Sequence, residues 1–331
     1  MLKDPFLSIV IPVYNGSKVI NRCLSSIWKQ DLDEVSFEVI CINDCSTDDT
    51  ETVIRRTQKN HPNLRLLSNP INKRAGGSRN YGVKEAKGKY IVFIDADDYF
   101  HPLALKQAVE YIEKTELDIL MCDNSRGQEN YIRSRMTHSQ FDTSILSGKL
   151  FYEINGFPIA PWKFIFKKEL MMTNQLFFAE NVQAEDADWV IKLGLHAKAI
   201  QYQPICLIHY ILTPTSLSAS SYNIRNFHDT IECGNRLYTL ARQYDYDITI
   251  SQKILNLSNF YYNEALKIML QFYCNPLLKI QNIKCIHSKE PYLSSKVALI
   301  KRYSIMTALL SNIVAPFVEN IVKLKRKILG R

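Results

Sequence analysis

The chain has 331 residues, of which 46% are hydrophobic and 22% charged, and its formal net charge is +8. This is an ordinary globular composition, long enough for one large domain with an appendage or for two domains. Its eight cysteines are scattered without a Cys-x-x-Cys pair, which argues against a disulfide scaffold and a zinc site and predicts buried, reduced thiols in a cytosolic protein.

The positive charge is concentrated at the C-terminal end. From Pro276 onward there are eleven basic residues against two acidic ones, whereas the rest of the chain is nearly neutral. The basicity therefore belongs to the tail and not to the main domain. The N-terminal residues have none of the layout of a signal peptide.

Apolar runs alternate with segments of helical spacing along the first 122 residues. Strands are predicted at residues 6–13, 37–42, 64–67, 90–94 and 117–122, with helices between them. Strands of this kind, nearly continuous in apolar residues, predict a parallel α/β sheet with helices on both faces. Further on, residues 125–140 are predicted to be a mobile loop, residues 161–166 to pack beside the sheet, residues 183–195 to contain a helix, and the chain from about residue 223 to be largely helical.

Polar residues follow each of the first four strands. They are Tyr14–Gly16, Asn43–Asp44, Asn69–Lys73 and Asp95–Asp98. Because ligands of such sheets bind outside the carboxyl ends of the strands, these residues are expected to line one crevice. The carboxylates of Asp95, Asp97 and Asp98 can hold Mg²⁺ or Mn²⁺ through hard oxygen ligands, with nucleotide phosphates on the remaining positions of the metal. Capping of the following helix is the alternative explanation for these acids.

Five motifs, in this order, resemble the family-2 inverting glycosyltransferases with the GT-A nucleotide-sugar-binding fold, a bacterial group that builds capsules, O-antigens and lipooligosaccharides. They are residues 11–16 (IPVYNG), 38–48 (EVICINDCSTD), 77–82 (GSRNYG), 95–98 (DADD) and 185–186 (ED). The resemblance covers about residues 5–215. It implies a GT-A domain at 1–215, with a donor half at about 1–122 and an acceptor half at 123–215, followed by a helical region at 216–331.

The resemblance implies a donor site for a UDP-sugar formed by Pro12, Tyr14, Asp44, Arg79, Asp95 and Ala96. Asp44 can accept the imide N–H of uracil, which indicates a uridine nucleotide. Tyr14 would lie against the base or ribose, although a partly buried turn tyrosine fits the same position. Arg79 could approach phosphate, and a structural ion pair with one of the aspartates is its main alternative role.

The family pattern makes Asp97 the metal ligand, Asp95 a ligand to metal or ribose, and Asp98 a supporting or sugar-facing group. Asp186 is the candidate base that takes the proton of the acceptor hydroxyl, and Glu185 is the next candidate. Acids in the first turn of a helix are also stabilised by its dipole, which leaves a structural role open for this pair. Trp162 and Lys163 resemble the family's acceptor-side segment, as does the pair Phe177–Phe178.

One position departs from the family pattern. Many relatives have a Tyr-Arg pair in the place occupied here by His209 and Tyr210. At the position where the arginine is expected, this chain has Ile211. His209 could replace this arginine, on phosphate or on the metal, and a buried histidine is the alternative.

The segment 296–331 has apolar residues every three or four positions and basic residues near both ends. It is too polar to cross a bilayer and suits lying on an anionic membrane surface. The stripe could instead pack on the catalytic domain or on another subunit of a homo-oligomer. Nucleic acid is disfavoured as a partner, because aromatic residues do not interleave with the basic ones.

The sequence thus predicts a cytoplasmic, metal-dependent, inverting transferase, peripheral on the inner face of the membrane, that passes a hexose or N-acetylhexosamine to a glycan or lipid-linked acceptor. A nucleotidyltransferase lacks support, because residues 15–18 make a poor phosphate loop. A dehydrogenase is disfavoured because no Gly-x-Gly-x-x-Gly follows the first strand. A catalytically inactive subunit that binds a nucleotide sugar within a glycan-assembly complex is the non-enzymatic alternative.

Overall fold

The computed structural model describes residues 4–128, 131–136, 140–212 and 224–272. Its strands are β1 (Leu7–Val13), β2 (Phe37–Asn43), β3 (Leu64–Ser68), β4 (Tyr90–Phe93), β5 (Tyr99–Phe100), β6 (Ile119–Gln128), β7 (Tyr131–Met136), β8 (Phe164–Lys167) and β9 (Ile200–Ile211). Its helices are α1 (Ile20–Trp28), α2 (Thr50–Gln58), α3 (Arg74–Glu85), α4 (Ala104–Thr115), α5 (Gly148–Asn155), α6 (Lys168–Thr173), α7 (Asp186–Leu195), α8 (Ile224–Gln243) and α9 (Ile248–Phe272).

The strands form one sheet in the order β3-β2-β1-β4-β8-β6-β9-β5, with β7 paired to β6. The first four strands in this order are parallel, as the sequence predicts for the donor half. In the other half, among the strands that the structure describes, β6 and β9 are the one parallel pair, while β8 is antiparallel to both β4 and β6. The carboxyl ends of β1 to β4 therefore meet at one edge of the sheet.

The core follows from the composition of these strands. Every residue of β2 and β4 is buried, because helices cover both faces of this part of the sheet. Helix α1 contributes Ile20, Cys23, Leu24 and Ile27 to the core, at the three- and four-residue spacing of one helix face.

Two predictions about the acceptor half are wrong. The polar stretch 125–140, predicted to be a mobile loop, continues β6 to Gln128 and returns as β7, so its described part is a β-hairpin. The segment 161–166 does not pack beside the sheet. After a 3₁₀ turn at Pro161–Lys163 it enters the sheet as β8, between β4 and β6.

The chain divides into two compact units. One consists of Met1–Ser220 and Asn235–Ser258, and the other of Ser221–Gly234 and Asn259–Arg331. Within the described residues, no helix is both long enough and apolar enough to cross a bilayer. The predicted basic tail at 296–331 lies outside these residues, so its assignment and the domain boundary near 215 stay predictions.

Candidate functional site

The loops that follow β1 and β2 are held together by hydrogen bonds between their side chains and backbones. The Asn15 side chain accepts a bond from the Thr47 N–H at 2.8 Å, and Thr50 Oγ1 accepts one from the Gly16 N–H at 2.8 Å. Asp48 accepts from the Ser17 N–H at 3.1 Å and from Thr50. Burial acts to raise the pKa of Asp48, but these hydrogen bonds outweigh it and lower the pKa to about 2. The two loops therefore form one rigid wall of the crevice.

Asp44 directly follows β2, between these loops and the sheet edge, and is 3% exposed. Its Oδ1 accepts hydrogen bonds from the Asn69 side chain at 2.7 Å and from the Lys73 N–H at 2.8 Å. These bonds fix the carboxylate plane while engaging only one of its two oxygens. Nearby, Tyr14 is 56% exposed, so its ring is open to a ligand, whereas Pro12 is a partly buried residue of β1 beside Ile42.

The acidic cluster follows β4 as a tight turn, in which the Asp98 N–H bonds the Asp95 carbonyl at 3.0 Å. Asp95, Ala96 and Asp97 are partly exposed, whereas Asp98 is completely buried. Burial, followed by the charge of Asp95, raises the pKa of Asp97. Burial and the charges of both neighbours raise the pKa of Asp98 well above its ordinary value. Carboxylates held this close together repel one another, and a cation would relieve that repulsion.

Asp98 does not face the crevice. Its Oδ1 accepts a hydrogen bond from the Ile211 N–H at 2.8 Å, and this bond ties the acidic turn to the end of β9. Of the two predicted roles, the structure shows the supporting one. It also shows the Ile211 side chain buried, at 4% exposure, so this position supplies no cation to the crevice.

Arg79 connects the acidic turn to the predicted catalytic pair. Its Nη2 donates to Asp95 at 2.8 Å and its Nη1 donates to Glu185 at 2.6 Å, while the guanidinium lies over the rings of Phe93 and Phe178. Burial acts to lower the pKa of Arg79, but the charges of Asp95 and Glu185 outweigh it and raise the pKa. The structure thus shows the ion pair that was the alternative to a phosphate contact.

Glu185 and Asp186 lie at the start of α7, opposite the acidic turn. Burial and the neighbouring charge of Glu185 raise the pKa of Asp186 to about 7, against the lowering effect of Arg79. A carboxyl group with a pKa near neutrality can accept a proton in one step and release it in the next. The helix dipole stabilises acids at this position as well, but it acts to lower their pKa and does not explain the raised value.

The segment that leads into α7 packs closely on α3. Asn80 forms two hydrogen bonds with the backbone of Phe178, at 2.9 and 3.0 Å. Phe178 is buried and stacks on Trp189, so it belongs to the core and not to an acceptor surface. A Cβ on Gly76 would lie 2.4 Å from the Ala179 carbonyl oxygen and 3.0 Å from Glu185 Cγ. Glycine is required at this position because the two segments approach so closely.

The variant Gly76→Ala should therefore displace the Glu185 segment. Since the nearest atom is a backbone oxygen, the loop must move, and we expect at least a tenfold loss of transfer activity, as a misplacement of about 1 Å can cost far more. Gly156→Ala is the matched control for loss of a glycine, because no atom lies within 4 Å of its Cβ position, although its φ of +74° makes some loss of stability expected. Equal activity of Gly76→Ala and wild type, measured as UDP release, would contradict the packing argument.

His209 is completely buried and does not take the place of the missing arginine. Its Nε2 bonds the Gln128 carbonyl at 3.1 Å and its Nδ1 bonds Ser125 Oγ at 2.6 Å, and the same hydroxyl bonds His101 Nε2 at 2.7 Å. Since a carbonyl only accepts, Nε2 of His209 carries the proton and Nδ1 accepts from Ser125. Burial lowers the pKa of His209. Both ring nitrogens are engaged inside the sheet, so the assignment of His209 as a metal or phosphate ligand is corrected to that of a buried histidine.

Trp162 and Lys163 lie in the 3₁₀ turn before β8. The Trp162 ring stacks on Tyr210 of β9, with centroids 5.9 Å apart. Lys163 is 6% exposed, and burial lowers its pKa to about 8 although the nearby Asp123 charge acts to raise it. The partly exposed Trp162 can still contact a substrate, whereas Lys163 is buried and its predicted substrate contact is not supported by its exposure.

The structure brings the donor-side residues Asp95 and Arg79 together with Glu185 and Asp186, and it leaves His209 outside this group. Among the described residues, no group of three or more His, Cys, Asp and Glu side chains is arranged to hold a metal ion. The sequence placed Asn69 among the residues expected to line the crevice and Asn80 in the motif 77–82, but it indicated no role for either side chain. In the structure Asn69 fixes Asp44, and Asn80, inside α3, fixes the segment before α7.

Residues 8–173 match the family model described as Glycosyl transferase family 2. The poly(ribitol-phosphate) beta-N-acetylglucosaminyltransferase TarS of Staphylococcus aureus is 31% identical over 199 residues, covering 58% of this chain and 33% of TarS. The poly(ribitol-phosphate) beta-glucosyltransferase of Bacillus spizizenii is 29% identical over 234 residues, covering 68% of this chain and 36% of that protein. The chain thus spans about a third of the length of these relatives.

Two solved structures share the architecture. TarS 1-349 of S. aureus in complex with UDP-GlcNAc has a TM-score of 0.62 at 23% identity, covering 80% of this chain and 73% of that one. The mannosyltransferase PcManGT of Pyrobaculum calidifontis, in complex with GDP-Man and Mn²⁺, has a TM-score of 0.51 at 18% identity, covering 96% and 88% of the two chains. At such identities the likeness concerns the fold, and it confirms the predicted GT-A architecture.

Proposed function

The chain belongs to glycosyl transferase family 2, and we propose that it transfers a hexose or N-acetylhexosamine from a UDP-sugar to a glycan or lipid-linked acceptor, with inversion at the anomeric carbon. The observation that carries the proposal is the bridge made by Arg79. One guanidinium joins Asp95, on the donor side, to Glu185, on the side of the candidate base. Donor-side carboxylates and a base are the two groups that this reaction needs on either side of the transferred sugar.

The donor proposal rests on Asp44 and Tyr14. With Oδ1 of Asp44 bonded to Asn69 and to the Lys73 N–H, Oδ2 remains to accept the imide N–H of uracil. The exposed ring of Tyr14 can lie against the base or ribose. TarS, a relative in the same family, was solved with UDP-GlcNAc and with UDP, which supports a uridine nucleotide for this chain too.

Asp95 and Asp97 fit a divalent cation such as Mn²⁺ or Mg²⁺. Both carboxylates are partly exposed hard-oxygen donors. Burial, and after it the charge of Asp95, raises the pKa of Asp97, and a cation at this turn would offset both effects. A bound metal supplies charge neutralisation on the departing diphosphate. The remaining ligands would come from the phosphates, because this part of the crevice offers only these two partly exposed carboxylates from the acidic turn.

Asp186 is the proposed base. It takes the proton of the acceptor hydroxyl as that oxygen attacks the anomeric carbon from the face opposite the diphosphate. Glu185 is held by Arg79 at 2.6 Å, which orients it as a support for Asp186 and makes it the less available of the two carboxylates. The proposed polymeric acceptor is supported by the names of the two relatives, which are poly(ribitol-phosphate) transferases.

The first test is a thermal shift with Mn²⁺ and each nucleoside diphosphate. A ligand that binds only the folded state raises the Tm by mass action. Among the nucleoside diphosphates, we expect only UDP, in the presence of Mn²⁺, to raise the Tm. EDTA should abolish this increase. Stabilisation by GDP or CDP in place of UDP would contradict the role of Asp44. No increase of the Tm with any nucleotide would contradict the proposed donor.

The variant Asp97→Ala should lose both the metal-dependent shift and transfer. Removing one of two metal-ligating carboxylates leaves too few protein ligands to hold a hard cation. Glu113→Ala, an exposed acid on α4, is the control and should behave as wild type. A normal Mn²⁺-dependent shift with UDP in Asp97→Ala would place the metal elsewhere.

A further inference from the structure

Helix α8 contributes a residue to the catalytic side of the site, although it lies outside the stretch 8–173 that matches the family model. The residue is Arg236, which belongs to the same compact unit as the site. Its side chain is 15% exposed. Neither the sequence motifs nor the family resemblance indicates a role for it.

Two hydrogen bonds of Arg236 are made to residues that precede and follow the candidate base in the chain. Its Nη2 donates to the Ala184 carbonyl at 2.8 Å, and its Nε donates to Asp188 Oδ1 at 2.9 Å. Glu185 and Asp186 lie between these two attachment points. One planar guanidinium therefore fixes the backbone before the pair and a side chain after it.

This segment needs an external support. Ala184 has a φ of +53°, in the left-handed region that a residue with a Cβ adopts only at a cost. Asp188 is 2% exposed, and Lys192 holds its other oxygen at 2.6 Å. Asp188 is thus a rigid anchor, and the bond from Arg236 to the Ala184 carbonyl holds the strained residue in place relative to it.

We propose that Arg236 is a positioning residue for Asp186, holding the Ala184–Asp188 turn so that the base faces the sugar. This inference rests on the proposed function. Arg79 links the Glu185 side chain to Asp95 of the acidic turn, whereas Arg236, on α8, holds the Ala184 carbonyl and the Asp188 side chain.

The test compares Arg236→Met, Arg236→Lys and the control Arg242→Met. Arg242 lies on the same helix, is 54% exposed and pairs with Asp245, three residues further along the chain. Release of UDP from a UDP-sugar, with water or a sugar acceptor, gives kcat and KM, and calorimetry gives the affinity for UDP with Mn²⁺. For Arg236→Met we expect kcat to fall at least tenfold, with KM and the UDP affinity within twofold of wild type. The kcat of Arg236→Lys should lie between those of Arg236→Met and wild type, and Arg242→Met should have the kcat of wild type.

A kcat within twofold of wild type in Arg236→Met overturns the proposal, and so does a parallel loss of kcat and UDP affinity, which would indicate a general structural role. Should Arg236→Met fail to fold, the variant pair Arg236→Lys and Arg236→Lys/Ala184→Gly decides. Glycine adopts a positive φ without the cost paid by alanine, so the double variant should recover part of the lost kcat. No recovery would contradict the role at Ala184. A wild-type protein that binds UDP but releases none from any UDP-sugar would count against the proposed function itself, which separates the two failures.

Discussion

The variant Asp186→Asn is expected to lose transfer by about 10²–10⁴-fold while it binds the nucleotide sugar as wild type does. The amide has the shape of the carboxyl group but cannot accept the acceptor's proton. Because the pKa of Asp186 is raised to about 7, kcat/KM of the wild type should rise with pH through about 7 and level off above it. The measurement is UDP release between pH 5 and 9, with UDP affinity measured in parallel.

The same substitution should increase the stability of the fold at alkaline pH. A carboxyl group whose folded-state pKa lies above its unfolded value of about 3.9 costs stability as the pH rises between the two values. The full cost is present above about pH 7, and asparagine removes it. We therefore expect a higher Tm for Asp186→Asn than for wild type at pH 8 and little difference near pH 4, with Glu113→Gln unchanged at both. Transfer by Asp186→Asn at the wild-type rate would show that the base is another residue, and Glu185→Gln would then be the next variant to measure.

The donor half of the fold could be predicted because its information is local. Strands such as β2 are continuous runs of buried residues, and the parallel order brings their carboxyl ends to one edge whatever the loops do. The acceptor half could not be predicted in this way. Ser125 and Asn124 are buried polar residues of β6, and the Ser125 hydroxyl is bonded to two histidines, so the strand has no apolar alternation to detect.

The contacts within the site could not be predicted from the sequence either, because they join residues far apart in the chain. The order of the motifs predicts that Asp95 and Glu185 line one crevice, but the contact between them depends on Arg79, which lies 106 residues before Glu185. No pattern along the chain distinguishes an arginine that binds two carboxylates from one that binds phosphate. The same holds for His209, whose partner Gln128 lies on a strand distant in sequence, so its burial shows only in the folded sheet. It holds also for β8, which is a strand because it pairs with the distant β4 and β6.

Arg79→Met should destabilise the fold by about 2–4 kcal/mol, because it leaves Asp95 and Glu185 without their shared cation. Removal of one partner from a buried ion pair costs about 3–5 kcal/mol, and the expected loss is smaller here because Asp95 is partly exposed. The measurement is the free energy of unfolding in urea.

Arg65→Met is the matched control for this prediction. Arg65 also binds two carboxylates, those of Glu38 and Glu85, but its side chain is 29% exposed, so we expect a loss of about 1 kcal/mol. It pairs at the start of β2, away from the carboxyl ends of the strands, and should leave UDP affinity unchanged. The comparison decides between the two roles of Arg79. An unchanged free energy of unfolding in Arg79→Met, together with weakened UDP binding, would make the phosphate contact its function, whereas a large loss of stability makes Arg79 the residue that holds donor and base sides together.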